Sequence, residues 1–288
     1  VLIGGRRSIK EISMSTFYNS ERLKYNQMNY NNDVELDNFC SQCLLVINAV
    51  GPSFKINDKI ALHALRNNCH YIDIGGYGIL RDLLKPYEKS IEAQKLCFII
   101  GVGWMPGISG VFSKTIIETH LNSPENTNFN IYYGAVDNWS YSSTYDLAAS
   151  SMGKTRSYVY SHGKEIQVSP FRYTHHKFFP FIGHKKICMP SFDEQLTQLA
   201  TSLKQIRKIS TFIMLNDYIS MGKFMFIKIF YKHNLNKATL MLQDDYQRLV
   251  KKENKWGSVI CQVSKIEPER KIDTFYSVSY THLTLPTT

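Results

Sequence analysis

Two adjacent guanidinium groups, Arg6 and Arg7, follow Gly4-Gly5 at the end of the apolar stretch Val1–Ile3. A pair of arginines suits a phosphate dianion, because each planar fork donates bidentately and stays charged. Two placements compete. As the first strand of a dinucleotide-binding domain, the stretch would need a G-x-G-x-x-G loop, and Arg7 and Lys10 stand where glycine is wanted. As the second strand, its end would meet the adenosine ribose. There an acidic side chain favours NAD and arginine favours the 2′-phosphate of NADP. The Gly5-Arg6-Arg7 ending fits the second placement better, and that placement assigns the first strand and its phosphate loop to sequence before Val1. A solvated basic turn is the plain alternative.

Other polar groups stand where apolar runs end. Asn48 opens the turn Asn48-Ala49-Val50-Gly51-Pro52. Asp73 precedes Ile74-Gly75-Gly76, where a carboxylate could bind a ribose hydroxyl or a substrate ammonium; as an N-cap or surface residue it would do neither. Gly101–Gly110 (GVGWMPGISG) is a glycine-rich loop that enters a helix, and such a loop leaves backbone N–H groups free to face a ligand. Gly103, Pro106 and Gly107 are its candidates for a nicotinamide or substrate contact, with Trp104 beside them. Arg172 could clamp a substrate carboxylate, and Tyr145 and Lys154 are weaker candidates of the same kind. His175-His176, with His162 and His184 nearby, invites a metal reading. Adjacent histidines on a strand face opposite ways, and no Cys or acid stands at ligand spacing, so no metal site is predicted. The run Trp139–Tyr145 reads as packing. No G-x-S-x-G, H-E-x-x-H or Walker motif occurs, and no nucleophile–base pair is legible. The catalytic residues stay unassigned.

These groups need a scaffold, and the hydrophobic pattern supplies one. The apolar run Leu44–Ile47, a helix with Ile56, Ile60, Ala61, Ala64 and Leu65 on one face, and the run His70–Ile74 make a strand–helix–strand unit. Such units build parallel sheets whose ligands sit at the carboxyl ends of the strands. A further helix over about Ile79–Ala93, bent or divided at Pro86, leads to a strand at Leu96–Gly101 and a helix running to about Leu121.

VINAVGP, HYIDIGG and GVGWMPGISG, in this order, resemble the saccharopine dehydrogenase/reductase-like NAD(P)-dependent oxidoreductases. The family pattern is an A-A-G-P turn, a Y-x-D strand end and a G-x-x-P-G loop; Val50 departs from the first. The clear match covers about Leu44–Gly110. The resemblance implies a Rossmann-like parallel sheet over residues 1–122, with its first strand missing. It also implies cofactor contacts at Gly5, Arg6, Arg7, Asn48, Ala49, Val50, Gly51, Pro52, Asp73, Gly103, Pro106 and Gly107. Asp73, Trp104 and Arg172 are the substrate candidates. NADP is the expected cofactor rather than NAD. The expected reaction is hydride transfer to or from an imine, an amine or a related amino-acid-derived substrate. A non-catalytic binding or scaffold protein on the same fold is the alternative.

From Asn126 the pattern changes to alternation. Phe129, Ile131 and Tyr133 read as one strand. Tyr158 and Tyr160, then His162-Gly163, then Ile166 and Val168 read as a hairpin. Ser191-x-x-Glu194 reads as a capping box before an apolar helix face of Leu196, Leu199, Ala200 and Leu203. Val259, Cys261 and Val263 alternate in a late strand. These features predict an α+β domain with a mostly antiparallel sheet over residues 123–277. The resemblance makes it a substrate domain with possible homodimer contacts. Residues 278–288 (VSYTHLTLPTT) resemble a translated sequencing adapter and are expected to be a non-native tail.

Composition narrows the partners. The 288 residues carry a formal net charge of +10, spread thinly with no long basic block, which argues against nucleic acid. Such a balance suits NADP and a small-molecule substrate bearing a carboxylate or an amine. The six cysteines include one C-x-x-C, Cys40 and Cys43, with no second pair. They read as thiols in a reducing compartment. No signal peptide or membrane-length apolar run is visible, and the expected location is the cytoplasm, away from membranes.

Overall fold

The computed structural model describes residues 1–14, 19–75, 78–121, 124–152, 157–180, 182–192, 194–266 and 271–280. The chain divides into two compact units, Val1–Gly103 and Trp104–Thr288. It is α/β in class, with parallel sheets in the first unit and a mixed sheet in the second. Gly76, Lys154, residues 122 and 123 of the expected domain junction, and residues 281–288 of the expected tail lie outside the described residues.

The first unit runs β1 (Leu2–Gly5), α1 (Ile9–Ser13), β2 (Lys24–Gln27), α2 (Asp33–Cys40), β3 (Leu45–Asn48), α3 (Ser53–Ile56), α4 (Lys59–Arg66), β4 (His70–Asp73), α5 (Gly78–Leu84), α6 (Glu88–Ala93) and β5 (Phe98–Ile100). A 3₁₀ turn at Lys85–Tyr87, holding Pro86, divides α5 from α6 where the sequence predicts a bend. All strand pairs are parallel, in two separate sheets, β1–β2 and β3–β4–β5. Among the described residues β1 therefore pairs on one side only, with β2, and β3 on one side only, with β4.

Local chemistry sets these elements. Asn32 caps α2 by accepting from the amides of Val34 and Glu35, a cap that contributes about 1 kcal/mol. The expected helix face is buried as predicted, with Ile56, Ile60, Ala61, Ala64 and Leu65 all in the interior. It is split, however, because Asn57 turns to φ 52° and ends α3. One core gathers Leu36 and Cys40 of α2, Ile60 of α4 and Leu80 of α5 against Val46 and Tyr71. Each large aliphatic side chain there contributes about 1.5–3 kcal/mol. All these helices cover one sheet face. On the other face Leu45 and Ile47 stay exposed, Ile47 at 61%. Ile47 stands in register with Ile72, and Ile72 with Ile99, so an apolar row crosses the uncovered face. Parallel strands are ordinarily buried on both faces.

The second unit runs α7 (Ile108–His120), β6 (Thr127–Val136), α8 (Tyr141–Met152), β7 (Ser157–Ser161), β8 (Lys164–Val168), α9 (Pro170–Tyr173), β9 (His175–Phe179), β10 (His184–Pro190), α10 (Glu194–Ser202), β11 (Lys208–Leu215), α11 (Tyr218–Phe230), α12 (Leu235–Val250), β12 (Trp256–Ile266) and β13 (Lys271–Tyr280). The main sheet has the order β13-β12-β6-β11-β10-β9, with β7 and β8 joined at β11. Among the described residues of this unit only β6–β11 is parallel, so the sheet is mostly antiparallel, in line with the sequence. The predicted hairpin forms as β7–β8, with His162 and Gly163 both at positive φ in its turn. Phe129, Ile131, Val259, Cys261 and Val263 face a core shared with Ile116, Leu196 and Ile227 of the helices. The Ser191 hydroxyl accepts from Tyr133, and α10 is described from Glu194 onward, residue 193 of the expected cap lying outside the described residues. Strand β13 stays in register with β12 as far as Tyr280, three residues into the stretch read as a tail.

Candidate functional site

The predicted strand ends of the first unit are tied together by one buried network. Asn48, the last residue of β3, donates from Nδ2 to Asp73 Oδ2 at 2.7 Å and to the Tyr71 hydroxyl at 3.1 Å. Tyr71 donates to the same Asp73 oxygen at 2.6 Å. The Asn48 Oδ1 accepts from the Val50 amide at 3.0 Å, which curls the Asn48–Pro52 turn back on its own strand. The Asp73 carbonyl accepts from the Val102 amide at 3.1 Å, which fastens the loop after β5. Burial first, and the neighbouring Asp73 second, push the Tyr71 phenol well above its ordinary range, so it stays a donor.

This arrangement engages Asp73, expected as a ribose or substrate ligand, with neighbours inside the unit. Its side chain is 3% exposed and its Oδ2 is committed to Tyr71 and Asn48. The alternation of β4 turns residues 71 and 73 to the covered face together, so the carboxyl meets the tyrosine two positions back. Asp73 positions the strand ends and does not reach out from them. A cavity of about 10 Å³ beside it is lined by Asn48, Ser53, Asn57, Asp73 and Leu80 among others. That is room for about one water molecule, and not for a dinucleotide.

The glycines divide by role. A Cβ on Gly75 would collide with the Ser53 hydroxyl, so Gly75 lets β4 end against the start of α3. A Cβ on Gly4 would meet Met28 Sδ at 2.7 Å and the Phe39 ring at 2.8 Å, and one on Gly5 the Tyr25 hydroxyl at 2.9 Å. These close approaches are internal ones. Gly51–Pro52 is a cis peptide, with Ala49 and Val50 exposed before it and Gly51 and Pro52 half-buried. Gly103 is half-buried at the end of this unit.

Arg6 and Arg7 are both exposed at the end of β1. Their carbonyls accept from Gln27 Nε2 and from the Tyr25 hydroxyl, so the turn is anchored while both guanidiniums project from it. Glu11, the nearest acid in sequence, is engaged by the amide and hydroxyl of Ser8 in a capping box.

In the second unit the G-x-x-P-G loop leads into α7. Met105–Pro106 is cis, and Gly107, at φ 128°, occupies the N-cap position. Its amide donates to Gln195 Oε1 at 2.9 Å, and the Ser109 hydroxyl to the same oxygen at 3.4 Å. A Cβ on Gly110 would collide with that carboxamide. Gln195 thus takes the N–H that the sequence reading left free for a ligand. Nothing in its local pattern signals the role, since the contact spans 88 residues. Trp104 is half-buried and packs on the core of its unit. Arg172 is exposed on α9, and Tyr145 is buried.

His175 and His176 do point apart, His175 to the Phe212 ring and His176 to the Tyr218 hydroxyl. Among the described residues no group of three or more His, Cys, Asp or Glu side chains could hold a metal ion. The thiols of Cys40, Cys69, Cys188 and Cys261 are buried, and Cys97 is exposed. No helix among the described residues is long and apolar enough to cross a membrane.

No protein-family model matches the sequence, and no curated protein matches it. Solved structures give distant likenesses. A dehydrogenase (MviM) from Clostridium difficile is 7% identical over 88% of this chain and 67% of its own, with a TM-score of 0.35. GenD2 from gentamicin A biosynthesis, solved in complex with NAD, is 6% identical over 95% of this chain and 64% of its own, at 0.39. The yvaA protein of Bacillus subtilis, assigned as an oxidoreductase, is 8% identical over 96% and 75%, at 0.38.

Proposed function

We propose that the protein is an NADP-dependent oxidoreductase similar to the saccharopine dehydrogenase/reductase-like enzymes. In this reading it moves a hydride to or from an imine, an amine or a related amino-acid-derived substrate. One observation carries the reading: the three motif-bearing strand ends are fixed to one another. Asn48 joins β3 to β4, and the Asp73 carbonyl holds the loop after β5. Such a rigid edge at the carboxyl ends of parallel strands is where nucleotides bind.

The chain's own residues take separate parts. Arg6 and Arg7, exposed on an anchored turn, fit the 2′-phosphate of the cofactor. The exposed Ala49 and Val50 offer small side chains and backbone to the flat part of it, held in place by Asn48. The cofactor, when bound, supplies the hydride. One observation favours the alternative of a binding protein without turnover: Asp73, the carboxyl at the end of β4, is buried and its Oδ2 is engaged by Tyr71 and Asn48, away from a substrate.

Titration with NADPH and NADH by nicotinamide fluorescence tests the reading. Preference for NADPH, lost on changing Arg6 and Arg7 to Ala, supports it. Binding of neither nucleotide, or a preference unmoved by the two changes, overturns it.

A further inference from the structure

Helix α11 is apolar on two sides, and among the described residues only one of them is buried. Phe224 and Ile227 are buried. The opposite side carries Tyr218, Ile219, Phe226, Ile229 and Phe230, each 40 to 65% exposed. Gly222 lies in the middle of that stripe, and a Cβ placed on it would have nothing within 4 Å. At 100° per residue these six positions fall within about a third of the helix circumference. Five such side chains of about 200 Å² each, exposed to this degree, present on the order of 500 Å² of apolar surface. That is more than half of the roughly 800 Å² each partner contributes to a standard interface, and it lies at the upper end of the roughly 300–600 Å² that the largest patch on a monomer reaches, a size often tied to function.

The spacing of the stripe identifies its occupant. From Tyr218 to Phe230 the steps are one, three, four, three and one residues. The series is the same read backwards. Two copies of α11 lying antiparallel about a twofold axis at the level of residue 224 would therefore match every member of the stripe. Gly222 faces Phe226, Ile219 faces Ile229, and Tyr218 faces Phe230, each pairing occurring twice. This is what an isologous contact requires, residue i on j and j on i. The large ring sits opposite the one open position, which also allows close approach of the helix axes.

Charge and rigidity agree. No charged side chain lies within the stripe. Lys223, beside it, is paired with Asp244 at 2.8 Å and with Asp245 at 3.4 Å, and the Lys228 nitrogen lies over the Phe224 ring at 5.0 Å. The helix thus offers no cation row to an anionic membrane surface, which an interfacial helix would present. Its start is fixed, since Asp217 caps it and is gripped by Arg248 at 2.7 and 3.0 Å. We infer that α11 is the contact through which two copies of this chain associate, antiparallel, with Phe226 of each filling the space over Gly222 of the other.

Sedimentation velocity on the 288-residue chain, from about 1 to about 100 µM, tests this, since a contact of roughly 1,000 Å² in total lies at the weak end of specific interfaces. The chain sediments as a dimer. Gly222→Phe fills the space and Phe226→Gly removes its occupant, and each weakens association at least tenfold. The double variant sets Phe opposite Gly again and returns to within about threefold of the parent, a recovery that general stickiness does not give. In a Cys97→Ser background, Ile219→Cys and Ile229→Cys chains cross-link under mild oxidation when mixed, and neither does so alone. Far-UV circular dichroism checks that each variant stays folded. A parent chain that is monomeric throughout, singles that leave the dimer intact, a double that fails to recover, or a monomer that instead binds anionic vesicles through this helix would each overturn the inference.

Discussion

Changing Tyr71 to Phe deletes one oxygen from the network at the strand ends and keeps the ring. The ring is fully buried and lies 5.4 Å from that of Phe98, so packing is unchanged. The lost oxygen donates to Asp73 at 2.6 Å and accepts from Asn48 at 3.1 Å. Asp73 Oδ2 and Asn48 Nδ2 still hold each other at 2.7 Å afterwards, so neither is orphaned. Two hydrogen bonds at about 0.5–1.5 kcal/mol each then set the loss at about 1–3 kcal/mol. Asn48→Ala removes more, because it also takes the acceptor from the Val50 amide, and about 2–4 kcal/mol is expected. The double variant should cost less than the sum, since both singles lose the Tyr71–Asn48 bond. All three tryptophans, Trp104, Trp139 and Trp256, lie in the second unit. Their fluorescence would report on the wrong unit, so native-state hydrogen exchange of the β3 and β4 amides is the assay. A change under about 0.5 kcal/mol for Tyr71→Phe, or strict additivity of the double, would refute the network as drawn.

Three further outcomes follow from particular contacts. Burial alone would raise the Asp217 carboxyl, but the Arg248 guanidinium and the Ser220 amide outweigh it and hold it at about 2 against an ordinary 3.8. A depressed carboxyl stabilises the fold above its unfolded value and loses that contribution as pH falls from about 4 to 2. At 1.36 kcal/mol per pH unit, roughly halved for a partly exposed pair, it is worth about 1 kcal/mol. Urea unfolding read by tryptophan fluorescence should show Asp217→Asn weaker by that amount at pH 7 and less sensitive to acid. Gly75→Ala should destabilise the first unit by about 1–3 kcal/mol, and Ser53→Gly in the same chain should recover most of it, as exchange of the β4 amides would show. Gln195→Ala leaves the buried Gly107 amide without its acceptor, and faster exchange at that amide, by about 1–3 kcal/mol, is the expected result.

What could be read from the sequence was what depends on near neighbours. The alternation of Tyr158–Val168 and the dipeptide His162-Gly163 define their hairpin within eleven residues, and the face from Ile56 to Leu65 needs only helical periodicity. Pro86 divides its helix by its own geometry. Leu44–Ile47 marks its strand but not what covers each face, because an apolar run states only that burial is available; Ile47 is exposed. Long-range chemistry was silent in the same way. The pairing of Gln195 with Gly107 joins residues 88 apart, and nothing near Gln195 marks it.

Glycines make the consequence plainest. Five glycines on or beside the motifs, Gly4, Gly5, Gly75, Gly107 and Gly110, each invite a ligand when read alone. The structure gives four of them, Gly4, Gly5, Gly75 and Gly110, an internal neighbour that a methyl group would strike, and gives the fifth, Gly107, a positive φ and an internal acceptor for its amide. A small-residue turn thus arises wherever strands, helices and loops meet tightly, whether or not anything binds there. The groups to which the proposed function assigns cofactor contacts are those the fold leaves exposed on a fixed support: Arg6 and Arg7 on the anchored end of β1, and Ala49 and Val50 on the turn that Asn48 holds. Substitutions there should change ligand affinity while leaving amide exchange in β3 and β4 unchanged. Substitutions at Asn48, Tyr71 or Asp73 should change both, and that contrast separates residues that bind from residues that position.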